Sequence, residues 1–127
     1  MDPTDIGLFR LAGQRLAWVD QRQRLLAQNV ANASTPGYQP RDLAPFATAL
    51  AGSAAILART GPQHLDGRRS GTAASNQHPR ERAPDGNAVS MEDQLGKVAD
   101  TAGVHELVTS LYRKYEGMFR TALGRAG

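Results

Sequence analysis

Three histidines, His64, His78 and His105, are the obvious candidates for chemistry in a chain without cysteine. His105 and Glu106 open the run HELVT, which begins like the zinc-binding helix motif in which two histidines four residues apart face one metal. Thr109 stands where the second histidine is required, so one helical face offers a single nitrogen ligand and no metal site is expected. His64 and His78 sit in a glycine- and proline-rich stretch with no thiol beside them, the setting of solvated loop histidines. The chain holds no glycine-flanked serine nucleophile, phosphate-cradling glycine loop or dinucleotide fingerprint. Its acids fall near helix starts or among arginines, which suggests no acid and base pair of carboxylates. No catalytic residue and no cofactor are therefore expected. Asn32-Ala33-Ser34 fits a glycosylation sequon, a pattern common by chance. Trp18, Tyr112 and Tyr115 lie on or beside apolar seams, where an aromatic serves packing more often than ligand stacking.

The formal charge is +3 over 127 residues, with arginine strongly preferred to lysine. Between Ala58 and Arg82 five arginines, Arg59, Arg68, Arg69, Arg80 and Arg82, stand against Asp66 and Glu81. A nucleic-acid surface needs cations for phosphates and aromatic faces for bases. This basic stretch has no aromatic residue, so a solvated loop is the preferred reading and a basic nucleic-acid-binding adaptor the alternative. Without cysteine there are no disulfides, and the redox compartment stays open. The start, MDPTDIGLFR, is acidic where a signal peptide is basic, and no apolar run approaches the length of a membrane span. Neither a cleaved signal nor direct membrane insertion is expected.

Apolar residues concentrate between Ile6 and Leu57 and between Val89 and Leu123, whereas Ala58 to Asn87 holds Leu65 as its one large apolar residue. The fold expected is mainly α: long N- and C-terminal heptad helices forming a hairpin or coiled coil around a loop-rich middle segment. Asp2, Pro3 and Asp5 suit a helix start. Phe9, Ala12, Leu16, Val19, Gln23, Leu26, Val30 and Ala33 then recur at steps of three and four, a heptad seam. The first helix is assigned to 1–34, with Pro36 and Gly37 as its terminators. Residues 35–57 form a turn motif and a short helical segment, RDLAPFATALAG, with Leu43, Phe46 and Leu50 as its apolar residues. Residues 58–89 are a loop-rich middle with at most short extended pieces. The second long helix spans 90–124. Ser90 is its N-cap with Asp93 three residues on, and Glu92 adds favourable charge to the first turn. Met91, Leu95 and Val98 open its apolar face, Val104, Val108, Leu111, Tyr115, Met118 and Ala122 continue it after a register shift, and Gly124 stops it. Two such one-sided helices are not stable alone in water. They require each other or other chains.

NVANASTPGY, directly after an N-terminal heptad helix, resembles the signature of the bacterial flagellar axial proteins, the family that builds the rod, hook and associated segments. The paired C-terminal helix agrees with that family's plan. PGYQPRDL at Pro36 to Leu43, DGNAVSMEDQLGKVAD and LYRKYEGMFRTAL look like the proximal rod branch. A sister rod subunit, which typically continues after DGN with a glycine, an aromatic and a proline-asparagine pair, is the nearer alternative. The resemblance covers Ile6 to Leu50 and Pro84 to Leu123. Departures are AGVHEL at Ala102 to Leu107 and Gly117 inside the second helix.

The resemblance implies a structural subunit of the flagellar basal-body rod, which crosses the periplasm. It implies export through the flagellar type III apparatus without signal cleavage, and a helical tube built with other rod proteins and with copies of itself. On that reading the family turn motif is Ala31, Asn32, Thr35, Pro36, Gly37 and Tyr38. Inter-subunit packing is expected from Phe9, Leu16, Val19, Leu26 and Val30 in the first helix and Val108, Leu111, Tyr115 and Met118 in the second. Tyr38 is expected to anchor the emerging segment against the paired helix or a neighbouring subunit. A reading from another class, a free-standing helical-hairpin regulator or chaperone, predicts a well-folded chain with no tendency to polymerise.

Overall fold

The computed structural model describes residues 7–57, 74–76 and 89–124. The expected cap residues Asp2, Pro3 and Asp5, the histidines His64 and His78, and most of the arginine-rich middle lie outside these residues. The elements in chain order are α1 (Gly7–Ala31), β1 (Arg41–Leu43), α2 (Phe46–Leu57), β2 (Ala74–Asn76) and α3 (Met91–Ala122).

α1 and α3 form an antiparallel hairpin. Phe9 meets Tyr112 edge to face at a centroid distance of 5.0 Å. Gln23 donates to the Val98 carbonyl at 3.3 Å, and Asn29 bonds Gln94 at 2.8 Å. Positions that rise along α1 thus fall along α3. The seam read from the sequence is the buried face of α1: Val19 and Leu26 are fully buried and Phe9 nearly so. Burial of each such side chain contributes about 1.5–3 kcal/mol. On α3 the face toward α1 runs through Gln94, Thr101, Val104, Val108 and Tyr112, the first two buried and the others partly so. The expected register shift between Val98 and Val104 is therefore not a break. Thr101 fills the step with a buried polar residue, which a count of apolar positions passes over.

Both helix ends have local causes. Ser90 caps α3, its hydroxyl accepting from the Asp93 amide at 3.4 Å, and Gly124 follows α3 in the left-handed region at φ +73°. α1 stops at Ala31, three residues before the expected end. There the Asn32 side-chain amide satisfies the Gln28 carbonyl at 2.8 Å, the chain tightens with Ala33 N–H on the Val30 carbonyl, and turns follow through Thr35 and Tyr38. Pro36 disfavours helical geometry at Thr35. Gly37 adopts φ +75°, which a side chain would strain.

Beyond the turn the expectation needs correcting. RDL at Arg41 to Leu43 is not the start of a helix but strand β1, paired antiparallel with β2 so that Arg41 faces Asn76 and Leu43 faces Ala74. α2 begins only at Phe46, since Pro45 disfavours helix at the residue before it and supplies the first carbonyl that α2 bonds. Leu43, counted as a helix residue, instead joins Trp18 and Val19 in the core, with Leu25, Phe46, Ala49 and Val104 packed around them. Trp18 donates its indole N–H to the Ala44 carbonyl at 3.0 Å and meets Phe46 edge on, while the Arg15 guanidinium lies 4.8 Å from its ring centroid. Packing is the role the sequence suggested for Trp18.

Candidate assembly interface

The turn after α1 is held by one carboxamide. Asn29 is fully buried, and its side-chain amide donates to the Arg41 carbonyl at 2.7 Å and to Gln94 Oε1 at 2.8 Å. Its oxygen accepts from the Arg41 amide at 3.0 Å and from the Tyr38 hydroxyl at 3.1 Å. A carboxamide offers two donors and two acceptor sites, and all four are used. With Arg41 the exchange is reciprocal, so the Asn29 side chain acts toward the backbone of β1 as a neighbouring strand would. Tyr38, expected to anchor the emerging segment against the paired helix or a neighbouring subunit, instead bonds Asn29 on the helix it has just left.

Two turns earlier on α1, Arg22 makes a second tie. Its guanidinium grips Asp42 through two parallel bonds of 2.9 and 2.8 Å, reaches Thr101 Oγ1 on α3 at 3.3 Å, and lies 5.4 Å from the Trp18 ring centroid. Thr101 in turn donates to the Lys97 carbonyl at 2.6 Å. The hydrogen bonds that Arg22 donates to Asp42 hold its guanidinium above its ordinary value, more than offsetting burial. Burial pushes the Asp42 carboxyl up, but the Arg22 hydrogen bond and charge, with the Leu43 amide, outweigh it and hold Asp42 below the usual carboxylate range. Among the described residues no buried side-chain polar atom lacks a partner. Asn29, Arg22, Asp42, Gln94 and Thr101 were all missed by sequence reasoning. Each is polar, whereas periodicity marks apolar positions; the one signal in the sequence is NVAN, whose first asparagine, Asn29, falls on the inner flank of the seam.

At the other end of the hairpin lies an apolar groove of about 240 Å³, walled by Leu8 and Leu11 of α1, Phe46, and Val108, Leu111 and Tyr115 of α3. It continues along α3 as a stripe of exposed apolar residues, Leu107, Leu111, Tyr115 and Met118, which are 40–59% accessible. Steps of four, four and three keep these four on one side of the helix.

No protein-family model matches the chain. Individual relatives do. The flagellar basal body rod protein FlgB of Escherichia coli strain K12 is 33% identical over 131 residues, covering 93% of this chain and 94% of its own. The chain belongs to the FlgB family of flagellar basal body rod proteins. FlgB of Agrobacterium fabrum is 28% identical over 127 residues, covering 94% of this chain and 95% of its own, and FlgB of Salmonella typhimurium is 32% identical over 118 residues.

The expected turn motif has a structural account here. Ala31 is the last residue of α1, Asn32 and Thr35 close the turns after it, Pro36 and Gly37 reverse the chain, and Tyr38 ties it back to Asn29. The nine residues expected at subunit interfaces divide into three groups. Phe9, Val19 and Leu26 are buried inside the chain, Leu16, Val30 and Val108 are partly buried, and Leu111, Tyr115 and Met118 are exposed. The first group is already occupied by the hairpin; the last remains available to another molecule. His105 is exposed on α3, and no group of three metal-ligating side chains occurs among the described residues. None of the described helices is long and apolar enough to cross a membrane.

Proposed function

We propose that this chain is a structural subunit of the proximal flagellar rod, exported unfolded through the flagellar type III apparatus without signal cleavage and polymerising through α1 and α3. Its partners on this reading are other rod and basal-body proteins and further copies in a helical tube in the periplasm, with no catalytic activity. The observation that carries it is likeness to FlgB proteins across more than nine-tenths of the chain. The exposed stripe of Leu111, Tyr115 and Met118 supports assembly through the helices, because an apolar stripe of this length on a monomer marks a contact surface. Contacts that pass head to tail without closing generate a helical tube. Threading through a narrow channel suits a chain with no disulfide to break. Deletion of the gene tests the reading: cells should lack complete rods and swimming motility and regain both from a plasmid copy. Complete rods and normal motility in the deletion strain would overturn it.

A further inference from the structure

We propose that Asn29 is the positioning residue of this fold, setting both the axial register of α1 against α3 and the direction in which the segment after the turn departs. Two seams of apolar residues specify register poorly, because a slide by one heptad, about 10 Å, presents a similar face again. A buried polar group specifies it, since any slide separates donors from acceptors in a place water does not reach. Asn29 and Gln94 are fully buried opposite each other. Their bond is made at one alignment of the two helices only. The same carboxamide holds the strand backbone at Arg41 and the turn at Tyr38, so the register and the exit direction are joined at a single side chain. Arg22 repeats the arrangement two turns away, reaching Asp42 in the outgoing strand and Thr101 in α3. Aspartate would lack both donors, glutamine would be one methylene too long, and leucine would satisfy none of the four bonds. The role assigned is therefore specificity of arrangement as distinct from a share of stability.

The absence of cysteine makes the test direct. Pairs of spin labels on introduced cysteines in the full-length chain report two distances: Ala27→Cys with Ala102→Cys across α1 and α3, and Ala27→Cys with Ala47→Cys from α1 to α2. All three sites are exposed. Both distances should be single and narrow in the parent. Gln94→Met should split or broaden the first distance, with a second population displaced by at least one helical turn, about 5 Å, and leave the second distance narrow. Tyr38→Phe should broaden the second and leave the first. Asn29→Asp should disturb both. If Asn29→Asp does not fold, the opposite responses of the other two variants still decide the matter. Narrow, unchanged distances in Gln94→Met and Tyr38→Phe, with no more than a lowered melting temperature, would overturn the proposal. The distances are read on the isolated chain, so they stand or fall separately from the rod assignment.

Discussion

Asp42 keeps its charge although 9% of its side chain is accessible, because Arg22 meets both of its oxygens. A carboxyl lowered in the folded chain stabilises fully above its unfolded value, about 4, and that stabilisation is lost as pH falls through the folded value. Urea unfolding should therefore show the parent losing more stability between about pH 6 and about pH 3 than Asp42→Asn loses. At neutral pH the variant should be less stable by about 2 kcal/mol, since it leaves a partly buried guanidinium without its charged partner. A parent and variant with parallel pH profiles would show that the pair does not govern acid sensitivity. The pairs Lys97 with Asp93 and Arg120 with Glu116, at 2.8 and 2.7 Å and each with at least one well-exposed member, should matter much less. Pairs of this kind one helical turn apart contribute about 0.3–0.5 kcal/mol.

At the scale of elements, the long helices were legible because an amphipathic seam and its caps are local. Ser90, Gly124 and the α1 seam from Phe9 to Val30 fall where periodicity and capping chemistry put them. β1 was not legible. Three residues carry no period, and Arg41 is in a strand because a side chain twelve positions earlier and a strand more than thirty positions later supply its partners. The polar half of the α1 and α3 interface escaped for a related reason: Gln94 and Thr101 are buried because Asn29 and Arg22 are opposite them, a pairing that neither helix shows alone. α3 also carries glycines that its packing does not require. A Cβ added at Gly103 or Gly117 meets nothing within 4 Å, and neither residue has positive φ. Gly103→Ala and Gly117→Ala should each stabilise the isolated chain by about 1 kcal/mol, measured as a higher urea midpoint. A lowered midpoint would mean that α3 is not a continuous helix in solution.

Among the described residues the large apolar side chains fall into a buried and an exposed set, and the difference can be tested by opposed pairs of substitutions. Leu26 is fully buried, whereas Leu111 and Met118 are 43% and 48% accessible. Leu26→Ala leaves a buried cavity and should cost the isolated chain about 3 kcal/mol. Leu111→Ser and Met118→Ser remove side chains that already face water, so each should change isolated-chain stability by no more than about 0.5 kcal/mol. If the α3 stripe is what another subunit covers, the order reverses in assembly. The serine variants should then fail to restore motility to a deletion strain while remaining folded and secreted, and the double variant Leu111→Ser/Met118→Ser should fail more completely than either. Leu26→Ala should instead reduce the amount of folded protein, and cooling the cells should recover part of its function. A double serine variant that swims as the parent does would leave the stripe without an assembly role, and the contacts between subunits would have to be sought on other surfaces of the chain.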